Sequence, residues 1–363
     1  MTEDELLELD GSAGGGQLLR TALALSMVAD RSFRMENVRG DRPTPGLKPQ
    51  HLAAVRAAAE VCDASVSGAE QGSEEVEFRP GSPSGGRVEI DVGTAGSVTL
   101  LFDALLPVAL RLDRPLAVTA TGGTDVKWSP TVAHYRQVKL PLVRKAGVFA
   151  AVDRTRTGFY PVGGGEATLF LAPSSPSPLD LTERGSLDGA RIFSKASADL
   201  SDAEVAERQA AVAAERLQAV DRLRPDERLS EDVHDVSDEV SVTEKTVSSV
   251  ETDSPGSALA LALDYEEATA GFDALGERGR PARAVGAEAV ESALTFHGSR
   301  GAVDAHTADQ LVVFLALAGG RVAIPEVTDH VRTGADLVSE FGFPVELQGS
   351  DPPMLTAPAP EPE

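Results

Sequence analysis

Apolar residues recur at three- and four-residue spacing over residues 17–28, directly after Gly14-Gly15-Gly16, and predict an amphipathic helix. A short strand over 33–38 follows, and a second helical period spans 49–61. The same order returns after Gly93-Thr94-Ala95-Gly96-Ser97, with a helix over 98–110, a strand over 116–120 and a helix over 131–146. It returns again after His306-Thr307-Ala308-Asp309-Gln310, with a helix over 311–318, a strand over 321–324 and a helix over 331–341. Each copy closes alike, in a small residue or turn and a β-rich segment: Ala64-Ser65-Val66, Gly147-Val148-Phe149 and Gly342-Phe343-Pro344-Val345. Two helices and a small sheet must cover one another in each copy, because neither apolar stripe can stay in water. Three such units stack into one large α/β (α+β) domain.

Between the second and third copies the pattern changes. Ser201-Asp202-Ala203-Glu204 has the form of a capping box that opens an Ala-rich helix to about residue 222, where Pro225 blocks it. Residues 230–253 are acidic and rich in Ser and Thr, and predict a mobile loop. Alternating Ala and Leu over 258–263 predict a half-buried strand. The expected organisation is therefore a main domain over 1–181 with repeats one and two, an inserted small domain over 182–279, repeat three over 280–347, and a disordered proline-rich tail over 348–363.

Composition narrows the setting. The formal charge is −24, and lysine supplies only Lys48, Lys127, Lys139, Lys145, Lys195 and Lys245 of the 33 basic residues. Such a surface holds water and repels its neighbours where salt screens charge strongly, as in a salt-loaded cytoplasm; the alternative is an ordinary acidic enzyme. The charge argues against non-specific nucleic-acid binding but leaves room for one focused arginine pocket. Cys62 is the only cysteine, which excludes intramolecular disulfides and cysteine-rich metal sites. With no apolar N-terminal signal and no uncharged run near about 18 residues, a soluble cytoplasmic chain without a membrane partner is expected.

Candidate chemistry is sparse. The histidines are His51, His134, His234, His297, His306 and His330, and no pair has the helical spacing of a zinc motif. His330 sits in Thr328-Asp329-His330, at a strand-to-helix junction. Partial positive charge at a helix N-terminus favours neutral, nucleophilic imidazole and would stabilise a phosphoryl group carried on it. Gly14-Gly15-Gly16 and Gly163-Gly164-Gly165 bring backbone amides near a phosphate or simply make tight turns. Arg20, Arg39 and Arg42 either form a bidentate anion site or pair with acids such as Glu36 and Asp41.

The motifs, taken in order, resemble the RNA 3′-terminal phosphate cyclases over residues 7–347. The resemblance rests on Leu9-Asp10-Gly11-Ser12 with Gly14 through Arg20, on Arg39 through Leu52, and on Gly93-Thr94-Ala95-Gly96-Ser97. It continues through Gly122-Gly123-Thr124-Asp125, Gly158-Phe159-Tyr160-Pro161-Val162-Gly163-Gly164-Gly165, Ala308-Asp309-Gln310-Leu311 and His330. It implies three repeats resembling the C-terminal domain of translation initiation factor three, with an inserted small domain. It also implies an ATP-dependent reaction on an RNA with a 3′-phosphate: a histidine takes AMP from ATP, passes it to that phosphate, and the vicinal 2′-hydroxyl displaces AMP to give a 2′,3′-cyclic phosphate. Divalent metal (Mg or Mn) should neutralise the triphosphate.

Carried over by position, the resemblance implies that His330 is the nucleophile and that His306, Thr307, Ala308, Asp309 and Gln310 bind the adenylate. His306 and Pro130 would sandwich the adenine, with Asp103 near the nucleotide and Phe272 near the active site. Arg20, Arg39 and Arg42 would hold the RNA phosphate and the triphosphate. Two positions depart from the family pattern. Ala13 stands where a metal-organising Glu is usual, with Asp10 or Asp309 as substitutes, and Asp103 stands where Gln is usual. The missing Glu keeps a second reading open, a non-catalytic relative serving as a scaffold in RNA processing or ribosome assembly. An enolpyruvyl transferase of related architecture lacks its own anion cluster here.

Overall fold

The computed structural model describes residues 6–219, 240–349 and 351–360. The first unit runs β1 (Leu7–Asp10), α1 (Gly16–Ala29), β2 (Phe33–Glu36), α2 (Pro49–Cys62), β3 (Ser65–Ser67) and β4 (Val76–Arg79). Its sheet has the order β1-β2-β4-β3, with β1 parallel to β2 and the other pairs antiparallel. The second unit repeats this: β5 (Gly86–Asp91), α3 (Val98–Leu105) with a 3₁₀ turn over Leu106–Arg111, and β6 (Leu116–Gly122). It continues through α4 (Val132–His134), a π turn over Tyr135–Lys139, α5 (Leu140–Lys145), β7 (Ala150–Arg156) and β8 (Gly165–Leu171). The order β5-β6-β8-β7 again has a parallel first pair.

The third unit opens with β9 (Leu179–Leu181) and is at once interrupted. The interruption comprises β10 (Leu187–Ser197), α6 (Val205–Gln218), β11 (Val242–Val250), β12 (Ser257–Tyr265), β13 (Thr269–Leu275) and α7 (Ala282–His297). The unit then resumes with α8 (Ala305–Ala318), β14 (Gly320–Ala323), α9 (Asp329–Glu340), β15 (Glu346–Gln348) and β16 (Met354–Ala357). Its order, β9-β14-β16-β15, matches the other two, including the parallel first pair.

The strands of the first two units alternate buried and exposed positions, so each sheet has one wet face and one face on the helices. Helix α1 touches α2, α3 and α9, which places the helices together at the centre. Leu19, Leu23, Phe33, Phe102, Leu311, Phe314 and Val338 share that one core, while Leu259, Leu261, Leu263, Val285, Val290 and Phe296 belong to a second core inside the insert.

Several expectations need correction. The insert extends past residue 279, because α7 packs on α6, β12 and β13. Repeat three begins with β9, since parallel pairing with β14 brings residues 179–181 into its sheet. Of the segment expected as a loop, 230–239 lies outside the described residues, whereas 242–250 forms β11 beside β10. The capping box does not form. Ser201 sits in a 3₁₀ turn, Glu204 takes a left-handed backbone (φ 49°), and α6 starts at Val205 without a side-chain cap. Strand β12 is buried on both faces, because its leucines face α6 and α7 while Ala262 joins the main core. The tail is not disordered over 354–357. Its prolines flank a four-residue β-rich run, and Leu355 is fully buried opposite Val322; residues 350 and 361–363 lie outside the described residues.

Candidate active site

Buried polar links fasten the insert to the second unit and leave a cleft between them. Lys195 Nζ lies 3.0 Å from Asp125 Oδ1, with Asp125 also accepting from Thr124. Asp273 on β13 accepts from both the amide and the hydroxyl of Thr131, at 2.8 and 2.9 Å. The cleft has a volume of about 1940 Å³ and is walled by all three units and the insert. Among the described residues no helix is long and apolar enough to cross a membrane.

The Gly14-Gly15-Gly16 turn delivers the N-terminus of α1 to this cleft without a side-chain cap. Gly15 has φ +59°, a region costly to other residues, and a Cβ there would lie 2.9 Å from Arg42 Nη2. A Cβ on Gly16 would lie 2.3 Å from His51 Nε2. The turn is therefore glycine because Arg42 and His51 press against its backbone. Together with the first-turn amides of α1, they form a surface suited to an anion.

Arg20, Arg39 and Arg42 all line the cleft. Among the described residues, no ion pair joins any of them to Glu36 or Asp41. Arg39 turns its Nη1 onto the carbonyls of Thr44 and Gly46, at 2.9 and 2.8 Å, and so closes its own loop. Arg20 is half-buried near Asp103 and Asp309, and desolvation holds its basicity below the usual range.

The resemblance implied that Asp103, where Gln is usual, lies near the nucleotide. The structure supplies Lys139, whose Nζ lies 2.5 Å from Asp103 Oδ1 with both side chains largely covered. Burial lowers the Lys139 pKa, with Asp103 pulling the other way. Asp309 stands in the same group, and burial raises its pKa to about 7 against the pull of Lys139 and Arg20. Two cations and two carboxyls thus share one partly dry corner, where each charge depends on the others.

Helix α8 starts earlier than the periodicity implied, at Ala305, because Asp304 caps it. Its Oδ1 accepts from the Thr307 amide (2.8 Å), and its Oδ2 accepts from the Thr307 hydroxyl (2.6 Å) and the Gly271 amide (3.1 Å). The expected adenylate segment divides between the cleft and the interior. His306, Asp309 and Gln310 face the cleft, whereas Thr307 and Ala308 are buried and outside its wall. Pro130 and Phe272 are both in the wall, and Phe272 packs on Phe296 with ring centroids 5.8 Å apart.

His330 lies in the first turn of α9, which Thr328 caps by accepting from the Val331 amide at 3.2 Å. Its imidazole faces the cleft. Burial, then Arg42, His306 and Arg20, lowers its pKa, while Asp329 opposes them. The neutral ring is the form favoured at neutral pH.

Lys139 and His51 carried no role in the sequence reading. A lysine inside the apolar period over 131–146 was the available signal for the first. His51 is buried, and burial with Arg20, Arg39 and Lys48 lowers its pKa to about 3. Its Nδ1 accepts from the Lys48 amide (3.1 Å), so the neutral ring carries its proton on Nε2, towards the glycine turn.

A family model described as RNA 3′-terminal phosphate cyclase matches residues 12–347. The chain belongs to the RNA 3′-terminal phosphate cyclase family. It is 46% identical over 354 residues to the RNA 3′-terminal phosphate cyclase of Halobacterium salinarum, covering 94% of this chain and 97% of that one. It is 38% identical over 347 residues to the protein of that name from Pseudomonas fluorescens, covering 95% of each. For the one from Pyrococcus furiosus the identity is 36% over 347 residues, covering 95% and 96%.

For this cyclase relative, the donor set does not fit a resident metal. Among the described residues no group of three or more His, Cys, Asp or Glu side chains is placed to hold an ion. Of the two proposed substitutes for the Glu absent at Ala13, Asp10 is not in the cleft wall and already accepts from Ser12 and Asn37. Asp309 is in the wall but is raised towards its neutral form.

Proposed function

We propose that this chain uses ATP to convert an RNA 3′-terminal phosphate into a 2′,3′-cyclic phosphodiester, through AMP carried on His330. The observation that carries this reading is a neutral imidazole facing the same cleft as Arg20, Arg39, Arg42 and the glycine turn. A ring nitrogen of His330 attacks the α-phosphorus of ATP, and pyrophosphate leaves. A terminal oxygen of the RNA 3′-phosphate then takes the AMP and frees the histidine. Finally the vicinal 2′-hydroxyl attacks the activated phosphorus and AMP departs, closing the ring.

Activation is needed because a phosphate monoester dianion repels nucleophiles and its oxygen leaves badly. AMP is a good leaving group, and the ribose already holds the 2′-hydroxyl close to the phosphorus. The arginines stabilise the charge that gathers on the phosphoryl oxygens. His306 and Pro130 flank the adenine in this reading, with Asp309 and Gln310 on the same wall. A divalent cation on the triphosphate enters as part of the substrate. The reaction belongs to a salt-rich cytoplasm, where the acidic surface keeps the chain hydrated.

Ala13, standing where Glu is usual, favours the scaffold reading, and one assay separates the two. The protein is incubated with ATP labelled on the α-phosphate in high salt with magnesium or manganese, and acid-labile label on the protein is measured. Wild type should take up label and His330→Ala should not. Unlabelled wild type would leave the scaffold; label that persists in His330→Ala would place the nucleotide on another side chain.

A further inference from the structure

Two aromatic side chains stand almost free in water at the mouth of the cleft. Trp128 is 93% exposed and Tyr160 is 74% exposed, although both belong to the cleft wall. The chain has a single tryptophan and three tyrosines among 363 residues, so this placement of scarce aromatics is unlike its otherwise acidic surface. Trp128 also adopts φ +61°, a left-handed backbone that a bulky side chain rarely takes. Such strain persists only where the surroundings enforce it.

The two loops are also tied together. The turn holding Tyr160 is bound to the loop holding Trp128, because Gly158 accepts from the amides of Thr124 and Asp125 and donates to the Thr124 hydroxyl at 2.9 Å. Asp125 is in turn fixed by Lys195 from the insert. Two exposed rings are thus mounted on one rigid pair of loops, continuous with the cleft that holds His330.

We propose that Trp128 and Tyr160 form a stacking platform for the bases of single-stranded RNA just upstream of the 3′-phosphate. This rests on the function proposed above and adds to it how the RNA is held. Charge points the same way. Lys127, the cation beside Trp128, is already paired with Glu277 at 2.8 Å, and Arg280 in the same cleft wall is likewise paired, with Glu288. This rim offers little to the phosphates of upstream nucleotides, whereas every base has a flat face to stack, whatever its sequence. Salt weakens phosphate contacts steeply through counterion release, but stacking has no such dependence. An RNA-binding rim built of rings therefore suits a chain with formal charge −24.

Trp128 is its own reporter, since its fluorescence is the only indole signal of the chain. A 3′-phosphorylated oligoribonucleotide titrated into the wild-type protein should quench it, and a nucleoside 3′-phosphate should quench it far less. The quench should also occur in His330→Ala, which separates this proposal from the chemistry assigned to His330. In cyclisation assays Trp128→Ala and Tyr160→Ala should each raise KM for the oligonucleotide by about 5- to 100-fold, with kcat held, while Trp128→Phe recovers most of the loss. The ratio of wild-type to Trp128→Ala KM should be the same at low and at molar potassium chloride. Unchanged fluorescence on saturating with the oligonucleotide would overturn the platform, as would equal KM values for wild type and Trp128→Ala. In either case the rim would be left to some partner other than RNA.

Discussion

Replacing Asp309 by asparagine removes a cleft carboxyl that burial lifts to a pKa of about 7 in the folded chain, from an ordinary value of 3.8. Between those values the native protein keeps a proton that the unfolded chain has released. Native stability therefore falls as pH rises through this window and levels off above it. At about 1.4 kcal/mol per unit, the fall between about pH 5 and about pH 8 comes to about 2.6 kcal/mol. Asp309 is only half-buried, and water and salt in the cleft screen it, so about 1–2.5 kcal/mol is expected. Urea unfolding of wild type and Asp309→Asn in molar salt measures this. From the acid to the alkaline condition, the difference in stability should move by that amount in favour of the variant. Any fixed loss from the amide itself is the same at both pH values and cancels. If the two proteins change in parallel, Asp309 is ionised throughout and the dry four-charge corner does not exist in solution.

Lys139→Met leaves Asp103 buried without its cation and should cost about 3–5 kcal/mol in chemical denaturation, whereas Lys139→Met with Asp103→Leu should regain most of it; simply additive losses would show the pair is uncoupled. Leu355→Ala should cost about 2–5 kcal/mol, read as a lowered thermal midpoint, and a silent substitution would mean that the tail strand is not in the third sheet. Gly16→Ala should slow ATP-dependent labelling on the order of a hundredfold through displacement of His51, while far-UV circular dichroism stays native; full labelling would show that the turn has room to spare.

The sequence carried the repeat because burial periodicity is a local property: residues 17–28 and 49–61 expose their apolar faces to any reader of spacing. The helices α1, α2 and α9 follow it closely. It missed the opening strand of each unit. Residues 7–10, 86–91 and 179–181 are short and only partly buried, and nothing local announces the parallel partner that makes them strands. It also read residues 354–357 as part of a proline-rich tail, since composition averaged over the whole segment hides one buried leucine. At the site, the motifs brought forward His330, His306, Asp309 and the three arginines, because glycine turns and helix starts are written in contiguous residues. Thr307 and Ala308 were included by contiguity too, and there the helical turn buries both side chains.

What the chain's order of residues determined by itself was the number of units, their two helices each, and a histidine at a helix start. Only the tertiary structure decided that Lys139 neutralises Asp103, that α7 belongs to the insert, and that both faces of β12 are covered. The division has a simple cause. Helical periodicity and turn chemistry act over a few residues. A strand partner or a buried counter-ion comes from a distant part of the chain, and its identity is fixed only when desolvation makes leaving it out too costly.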